Sequence, residues 1–242
     1  MLEATAAVED RHYWFRGLRR TARALLLDAR IPRGSRIVDC GAGTGRNLDW
    51  LQEFGTAVGI ELTPAALAAG RRRGRRLVRG TVTALPLADA SVDLATSFDV
   101  LYCLDDADEA RALREMWRVV KPGGAVLINV AALDILSGAH SALTREVRRY
   151  TPYRLRTRLI ASGFEVERLT FTNLSLFPPA LLVRGLQRLT GHDDEDSASD
   201  LSIPAAPVNA GLDLCLRIET SLLSVINLPF GTSVMAVARK PR

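Results

Sequence analysis

Short apolar runs alternate with helical patterns along most of this chain. Runs rich in aliphatic and β-branched residues fall near 36–40, 56–60, 77–79, 92–97, 124–130, 164–172 and 232–239, each the length of one strand. Near 10–30, 45–54, 64–73, 107–119 and 152–161, apolar positions recur at three- and four-residue spacing, the period of an amphipathic helix. Thr151-Pro152 opens the last of these as cap and first-turn proline. This alternation predicts a parallel sheet with helices on both faces. Residues 173–231 break the rhythm, because the last two strands need only a hairpin between them. The stretch reads as an insertion: an apolar segment 174–189 broken by Pro178-Pro179, an acidic serine-containing loop 192–200, and a second helical pattern over 208–226. Such a loop is too polar to pack, and its flanks suit a lid or a dimer surface.

Composition adds bounds. With 242 residues, 48% of them hydrophobic, the chain can bury one α/β core with room for an accessory segment. One domain over 1–242 is expected: a helical cap at 1–34, a core formed by 35–172 and 232–242, and the insertion at 173–231. Cys40, Cys103 and Cys215 are odd in number and lack C-x-x-C spacing, so neither a disulfide framework nor a zinc site is expected, and a reducing cytoplasm fits. Glu3, Glu9 and Asp10 stand where a targeting peptide carries basic residues, and no apolar run reaches the roughly 18 residues of a membrane span. The net charge of +5 and the arginines at 71, 72, 73, 75, 76 and 79 raise an anionic partner. No aromatic residues interleave to stack on bases, so the cluster reads as a solvated face and no nucleic-acid partner is expected.

The most specific chemistry lies where the first apolar run breaks into Gly41, Gly43 and Gly45. Glycines let the backbone approach a ligand without Cβ clashes. A dinucleotide fingerprint needs its third glycine at 46, which is Arg46. A phosphate-cradling loop needs a lysine after the glycines, and the chain's lysines are Lys121 and Lys240. What remains is a nucleoside without a phosphate chain, with Glu61 about 20 residues further on as an acceptor for ribose hydroxyls.

Four segments then resemble, in order and spacing, class I S-adenosylmethionine (SAM)-dependent methyltransferases. They are Val38-Asp39-Cys40-Gly41-Ala42-Gly43-Thr44-Gly45, Gly59-Ile60-Glu61-Leu62-Thr63, Ala84-Leu85-Pro86-Leu87 with Ser91-Val92-Asp93-Leu94, and Arg118-Val119-Val120-Lys121-Pro122-Gly123-Gly124. The flanks, His12-Tyr13-Trp14-Phe15-Arg16, Arg148-Arg149-Tyr150 and Leu228-Pro229-Phe230-Gly231, resemble a bacterial type 11 subgroup. The resemblance implies an α/β, Rossmann-like, mostly parallel seven-stranded sheet with its last strand antiparallel. It also implies SAM as cofactor, S-adenosylhomocysteine as its product, and no metal. By the same resemblance Asp39 holds the loop and the ammonium end of SAM. Gly41, Ala42, Gly43, Gly45, Asn47, Glu61, Leu62, Thr81, Val82 and Phe98 line the remaining cofactor site, with Tyr13 and Arg16 above it. One departure stands out: where the family has Gly-Asp-Ala beside the adenine, this chain has Gly80-Thr81-Val82.

On the acceptor side, Ser97 to Cys103 follow the fourth strand, and relatives commonly carry Glu-His where Tyr102 and Cys103 stand. The available proton acceptors are then Asp99, Tyr102, His140 and His12. Arg148, Arg149 and Tyr150 are the substrate-side candidates. The arginines are adjacent, so one faces the pocket and could clamp a carboxylate or phosphate. The expected reaction is in-line methyl transfer to a small molecule, with oxygen favoured, in secondary-metabolite or glycan biosynthesis, by a monomer or homodimer. A SAM-binding protein that catalyses another reaction or acts as a regulator is the alternative. Nucleic-acid or protein methylation ranks lower, because Ser97-Phe98-Asp99-Val100 lacks the paired prolines used on exocyclic base amines.

Overall fold

A computed structural model describes residues 2–134, 146–182 and 202–242. Its seven strands are β1 (Ser35–Cys40), β2 (Gly55–Glu61), β3 (Leu77–Arg79), β4 (Val92–Phe98), β5 (Val120–Ala131), β6 (Glu165–Thr172) and β7 (Ser233–Arg239). They form one sheet in the order β3-β2-β1-β4-β5-β7-β6. The first five are parallel to one another, and β7 runs antiparallel to both β5 and β6. The strand order reverses between β1 and β4, and open α/β sheets bind ligands at the carboxyl ends beside such a reversal.

Both faces of the sheet are buried, which is why its strands read as apolar runs and not as strict alternations. On one face Ile37, Leu94, Leu127 and Met235 pack under α2 (Tyr13–Asp28), α3 (Leu48–Leu51) and α4 (Pro64–Arg72). On the other, Val38, Ala95, Val126 and Ala236 pack under α5 (Asp106–Val119) and α6 (Pro152–Ala161). Thr151 caps α6, accepting from the Arg154 amide at 3.1 Å, with Pro152 in its first turn as the sequence predicts.

Four features differ from the sequence reading. The helix expected over 10–30 starts only at Tyr13, as α2, because His12 takes extended backbone angles and caps it by accepting from the Trp14 amide, and a separate helix α1 (Leu2–Val8) precedes it. The helix expected over 45–54 is reduced to α3, since Gly43 and Gly45 hold φ of 55° and 77° and keep the chain in turns up to residue 47. Strand β5 starts at Val120, with Gly123 at φ 77° inside it. The insertion yields a short 3-10 turn (Leu174–Leu176) and α7 (Ala206–Leu222); its acidic stretch 192–200 lies outside the described residues.

Helix α7 packs along α2. A Cβ on Gly17 would come within 2.4 Å of Leu216 Cδ1, so the missing side chain lets the two helices approach. The hydroxyls of Thr21 and Thr220 meet at 3.1 Å, and Asn209 accepts the Tyr13 amide at 2.9 Å. The N-terminal helix is therefore held by the insertion. Among the described residues no helix is long and apolar enough to cross a membrane.

Candidate active site

The glycine loop follows β1 directly. Gly41 has φ 80°, and a Cβ there would lie 2.3 Å from Val100 Cγ2, so glycine is required on both counts. Gly43, at φ 55°, is different: a Cβ there would meet no protein atom within 4 Å. The loop opens toward that side. Glu61 holds it there, accepting the Gly43 amide on Oε2 at 2.8 Å and the Thr63 amide on Oε1 at 2.7 Å. An ionised carboxylate has about four acceptor sites, so both oxygens keep capacity for ligand hydroxyls.

A second layer supports the loop and corrects the solvated reading of the arginine cluster at one position, Arg75; Arg71, Arg72, Arg73, Arg76 and Arg79 are exposed as expected. Arg75 is 7% exposed at its side chain, not solvated: Nη1 donates to the Thr44 carbonyl at 3.1 Å and Nη2 to Asp49 at 2.8 Å. Thr44 Oγ1 in turn donates to Glu9 at 3.1 Å, and Arg73 reaches the same carboxylate at 3.3 Å. Arg71 closes on the Leu77 carbonyl. Arg75 is thus spent inside the molecule, at the underside of the loop, while Arg71 and Arg73 stay exposed.

Asp39, the last polar residue of β1, is buried against β4, where Thr96 Oγ1 donates to its Oδ1 at 2.7 Å. Burial pushes its pKa up to about 7, although Thr96 and the nearby Asn47 side chain work the other way. Among the described residues no group, Asn47 included, reaches Oδ2 in hydrogen-bond geometry. A buried carboxylate oxygen without a donor is costly, and it marks a place prepared for one.

The other cofactor candidates are distributed around this pair. Leu62 is 59% exposed just beyond Glu61, while Val82 is buried. Thr81 Oγ1 is engaged with Thr83, at 2.9 Å to its hydroxyl and 3.3 Å to its amide, so it shapes a turn. Asn47 accepts from Trp50 Nε1 at 3.2 Å, and Phe98 packs edge-on to the Trp50 ring. Ala42 is buried, and its amide and that of Gly41 both donate to the Ile60 carbonyl. Gly45 turns the chain back on Ala42, its amide 2.8 Å from that carbonyl. Arg16 turns to Asp213 of α7 at 3.3 Å, and Tyr13 stacks on His12.

Beyond β4 a cavity of about 190 Å³ is lined by Trp14, Asp99, Tyr102, Ala131, Glu146, Arg149, Thr232 and Ser233. Asp99 takes φ 60°, a left-handed angle that costs energy in a non-glycine residue. Asn129 holds it: the Asp99 amide donates to the Asn129 carbonyl at 3.1 Å, and Asn129 Nδ2 donates to Asp99 Oδ1 at 2.9 Å. Burial, with Glu146 nearby, pushes Asp99 up to about 7. Tyr102 reaches the same cavity, but burial drives its phenol well above the ordinary value, so it serves as a hydrogen-bonding group and not as a base at neutral pH. Burial likewise raises Cys103 to about 11.

Of the two adjacent arginines, Arg149 faces the cavity. It is already matched, with Nε and Nη2 on the two oxygens of Glu146 at 3.0 and 3.3 Å. Arg148 and Tyr150 do not line the cavity. The Tyr150 hydroxyl donates to fully buried Glu109 at 2.7 Å, and Arg148, Arg154 and Arg158 converge on the same carboxylate. Their geometry is that of a clamp between α5 and α6. His12 has both ring nitrogens committed, Nδ1 accepting from Trp14 and the other bonding the Ser202 backbone, and burial lowers its pKa. His140 lies outside the described residues.

Glu146, Asn129, Thr232 and Ser233 escaped the sequence reading. Asn129 left a trace, as a lone polar residue in the apolar run of β5; Thr232 and Ser233 left none.

Comparison with known proteins agrees with this geometry. The type 11 family model, described as a methyltransferase domain, matches residues 38–128. Over 177 residues the chain is 33% identical to a demethylmenaquinone methyltransferase of Roseiflexus sp., covering 67% of this chain and 70% of that protein. Over 121 residues it is 36% identical to the demethylmenaquinone methyltransferase of Corynebacterium kroppenstedtii, covering 49% and 52%. The fold also matches the solved [4+2]-cyclase SpnF, with a TM-score of 0.59 at 21% identity over 94% of this chain and 83% of that one. Matches span between 41% and 62% of the length of the first curated relatives. The chain belongs to the class I SAM-dependent methyltransferases.

Proposed function

We propose that this protein binds SAM across the glycine loop and transfers its methyl group to a small-molecule acceptor held in the cavity beyond β4, with a hydroxyl oxygen favoured. One observation carries the reading: β4 joins the two halves of the site. Thr96 is bonded to Asp39 on the cofactor side, and Asp99, three residues on, lines the cavity.

The residues fit the cofactor. Asp39 Oδ2 supplies the acceptor that an ammonium group needs, Glu61 has lone pairs for two ribose hydroxyls, and the space beside Gly43 admits the ligand. Leu62 and Val82 offer apolar contact to the adenine. Thr81 is occupied by its own turn, so the adenine amino group is held through water or backbone. When bound, the sulfonium supplies a methyl group already attached to a good leaving group, and positioning provides much of the remaining rate. Asp99, oriented by Asn129, takes the acceptor proton; a pKa near neutrality suits that task. Arg149, balanced by Glu146, contributes polar contacts without a net positive charge.

Calorimetry with S-adenosylhomocysteine tests the first half, and failure to bind at millimolar ligand would sink it. Incubation with methyl-labelled SAM and a whole extract of the source tests the second. Label in protein or nucleic acid would overturn the small-molecule acceptor. Cofactor binding with no labelled product would favour a non-methylating role.

A further inference from the structure

Helix α7 is turned inside out. Its charged and polar residues Asn209, Asp213, Glu219 and Thr220 face α2 and the turn after β6. There Asp213 meets Arg16 and Arg20, while Glu219 accepts the amides of Leu174 and Ser175. The opposite face is apolar, with Val208, Leu214, Ile218 and Leu222 between 44% and 57% exposed, and Val225 in the turn just after the helix is 82% exposed. A solvent-facing helix normally shows the reverse arrangement. Arg217 is the single charged side chain on that face, and it folds back to Asp213 at 2.8 Å.

Positions 208, 211, 215, 218, 222 and 225 are Val, Gly, Cys, Ile, Leu and Val. Their spacing alternates three and four residues, the seam pattern of one helix packing along another. Over the helix the seam is self-complementary when two copies run antiparallel: Gly211 falls opposite Leu222 and Cys215 opposite Ile218, while Val208 falls opposite the turn after the helix, which carries Val225. Small residues then meet large ones, as interdigitated packing requires. The exposed surface continues into Ile226 and Phe230. Together these side chains offer on the order of 800 Å² per copy, the area a standard interface buries on each partner. A membrane surface fits less well. Helices that lie on membranes carry lysines and arginines along their polar face, whereas here that face is turned inward and its charges are the acids Asp213 and Glu219.

We infer that the outer face of α7 is a homodimer interface, two copies pairing antiparallel about a two-fold axis between residues 215 and 218. Because α7 also braces α2, which carries Trp14 into the acceptor cavity, the dimer fixes that wall of the site in each copy.

Light scattering coupled to size exclusion on the full chain tests this. The wild type is expected at twice the 26.4 kDa chain mass, and the double variant Ile218→Glu, Leu222→Glu at the single mass. Both substitutions fall on solvent-facing positions of the protomer, so the variant's circular dichroism should be unchanged. Cys215 is exposed in the single chain and covered in the dimer, so its maleimide modification should be slow at concentrations that hold the dimer and fast after dilution to the monomer, a readout that needs no variant; equal rates at both concentrations would overturn the inference. A wild type that is monomeric from micromolar to near-millimolar concentration overturns the inference. So does a double variant that remains dimeric, or a monomer that cosediments with phosphatidylcholine–phosphatidylserine vesicles.

Discussion

Thr96 Oγ1 donates to Asp39 Oδ1 at 2.7 Å across neighbouring strands, and the second oxygen of the same carboxylate is buried with no partner. The consequence is a pH signature. With a pKa of about 7 in the folded chain and about 3.9 unfolded, Asp39 binds more protons native than unfolded between those values. Its contribution to stability is complete below about pH 4 and is lost as pH rises to about 7. Asp99, also raised to about 7, adds a loss of the same sign. Urea unfolding at pH 5 and pH 8 should show the wild type weaker at pH 8. In Asp39→Asn this difference should shrink by at least about 1 kcal/mol. Equal differences in the two proteins would refute the account of Asp39 as a desolvated acid.

In the proposed site Glu61 couples cofactor grip to loop shape, since the oxygens offered to the ribose also hold the amides of Gly43 and Thr63. Glu61→Ala should weaken S-adenosylhomocysteine binding by about 1.5–3 kcal/mol, the worth of lost charged hydrogen bonds. Glu61→Gln keeps an oxygen for one amide and should fall between the two. Calorimetry giving the alanine variant wild-type affinity would remove Glu61 from the site.

The sheet, its parallel order and the glycine turns after β1 were legible because each rests on local sequence. Apolar runs mark β1, β2 and β4, and the glycines and Glu61 lie within the turns they create. What stayed hidden depends on distant partners. Arg75 reads as a surface arginine until Asp49 and Thr44 are folded beneath it. His12 reads as a candidate base until α2 begins beside it and Ser202 occupies its other nitrogen. The roles of Arg148 and Arg149 could not be separated from spacing alone, because Glu109 lies some forty residues before them and Glu146 three. The inverted face of α7 is invisible in its composition, since only its packing against α2 shows which side is inward.

That separation of the arginines is open to test. Arg148 bonds buried Glu109, so Arg148→Met should lower stability by about 1–3 kcal/mol and leave the acceptor KM unchanged. Arg149→Met should raise the acceptor KM while S-adenosylhomocysteine affinity stays within about twofold, the size of RT-scale effects. Thermal melts and steady-state kinetics on both variants decide the matter. An exchange of the two phenotypes would place the wrong arginine at the substrate.

Asp99 is the sharpest point of the mechanism. It is held at a left-handed backbone angle by Asn129, lines the acceptor cavity, and is poised near neutrality. The groups around it are Tyr102 and Cys103 on the turn after β4 and Glu146 and Arg149 after β5; burial holds the first two protonated, and the last two balance each other. Asp39 is raised to about 7 as well, on the cofactor side, so it is at saturating SAM that the rise of acceptor kcat/KM with pH should belong to Asp99, as its carboxylate forms. Asp99→Asn preserves shape and can still accept from Asn129. It should lower kcat by about 10²–10⁴-fold, the usual contribution of a positioned base, abolish that rise, and leave cofactor affinity unchanged. A variant retaining most of its rate would mean that the acceptor arrives already ionised, as a carboxylate or phenolate, and that Asp99 serves to bind it.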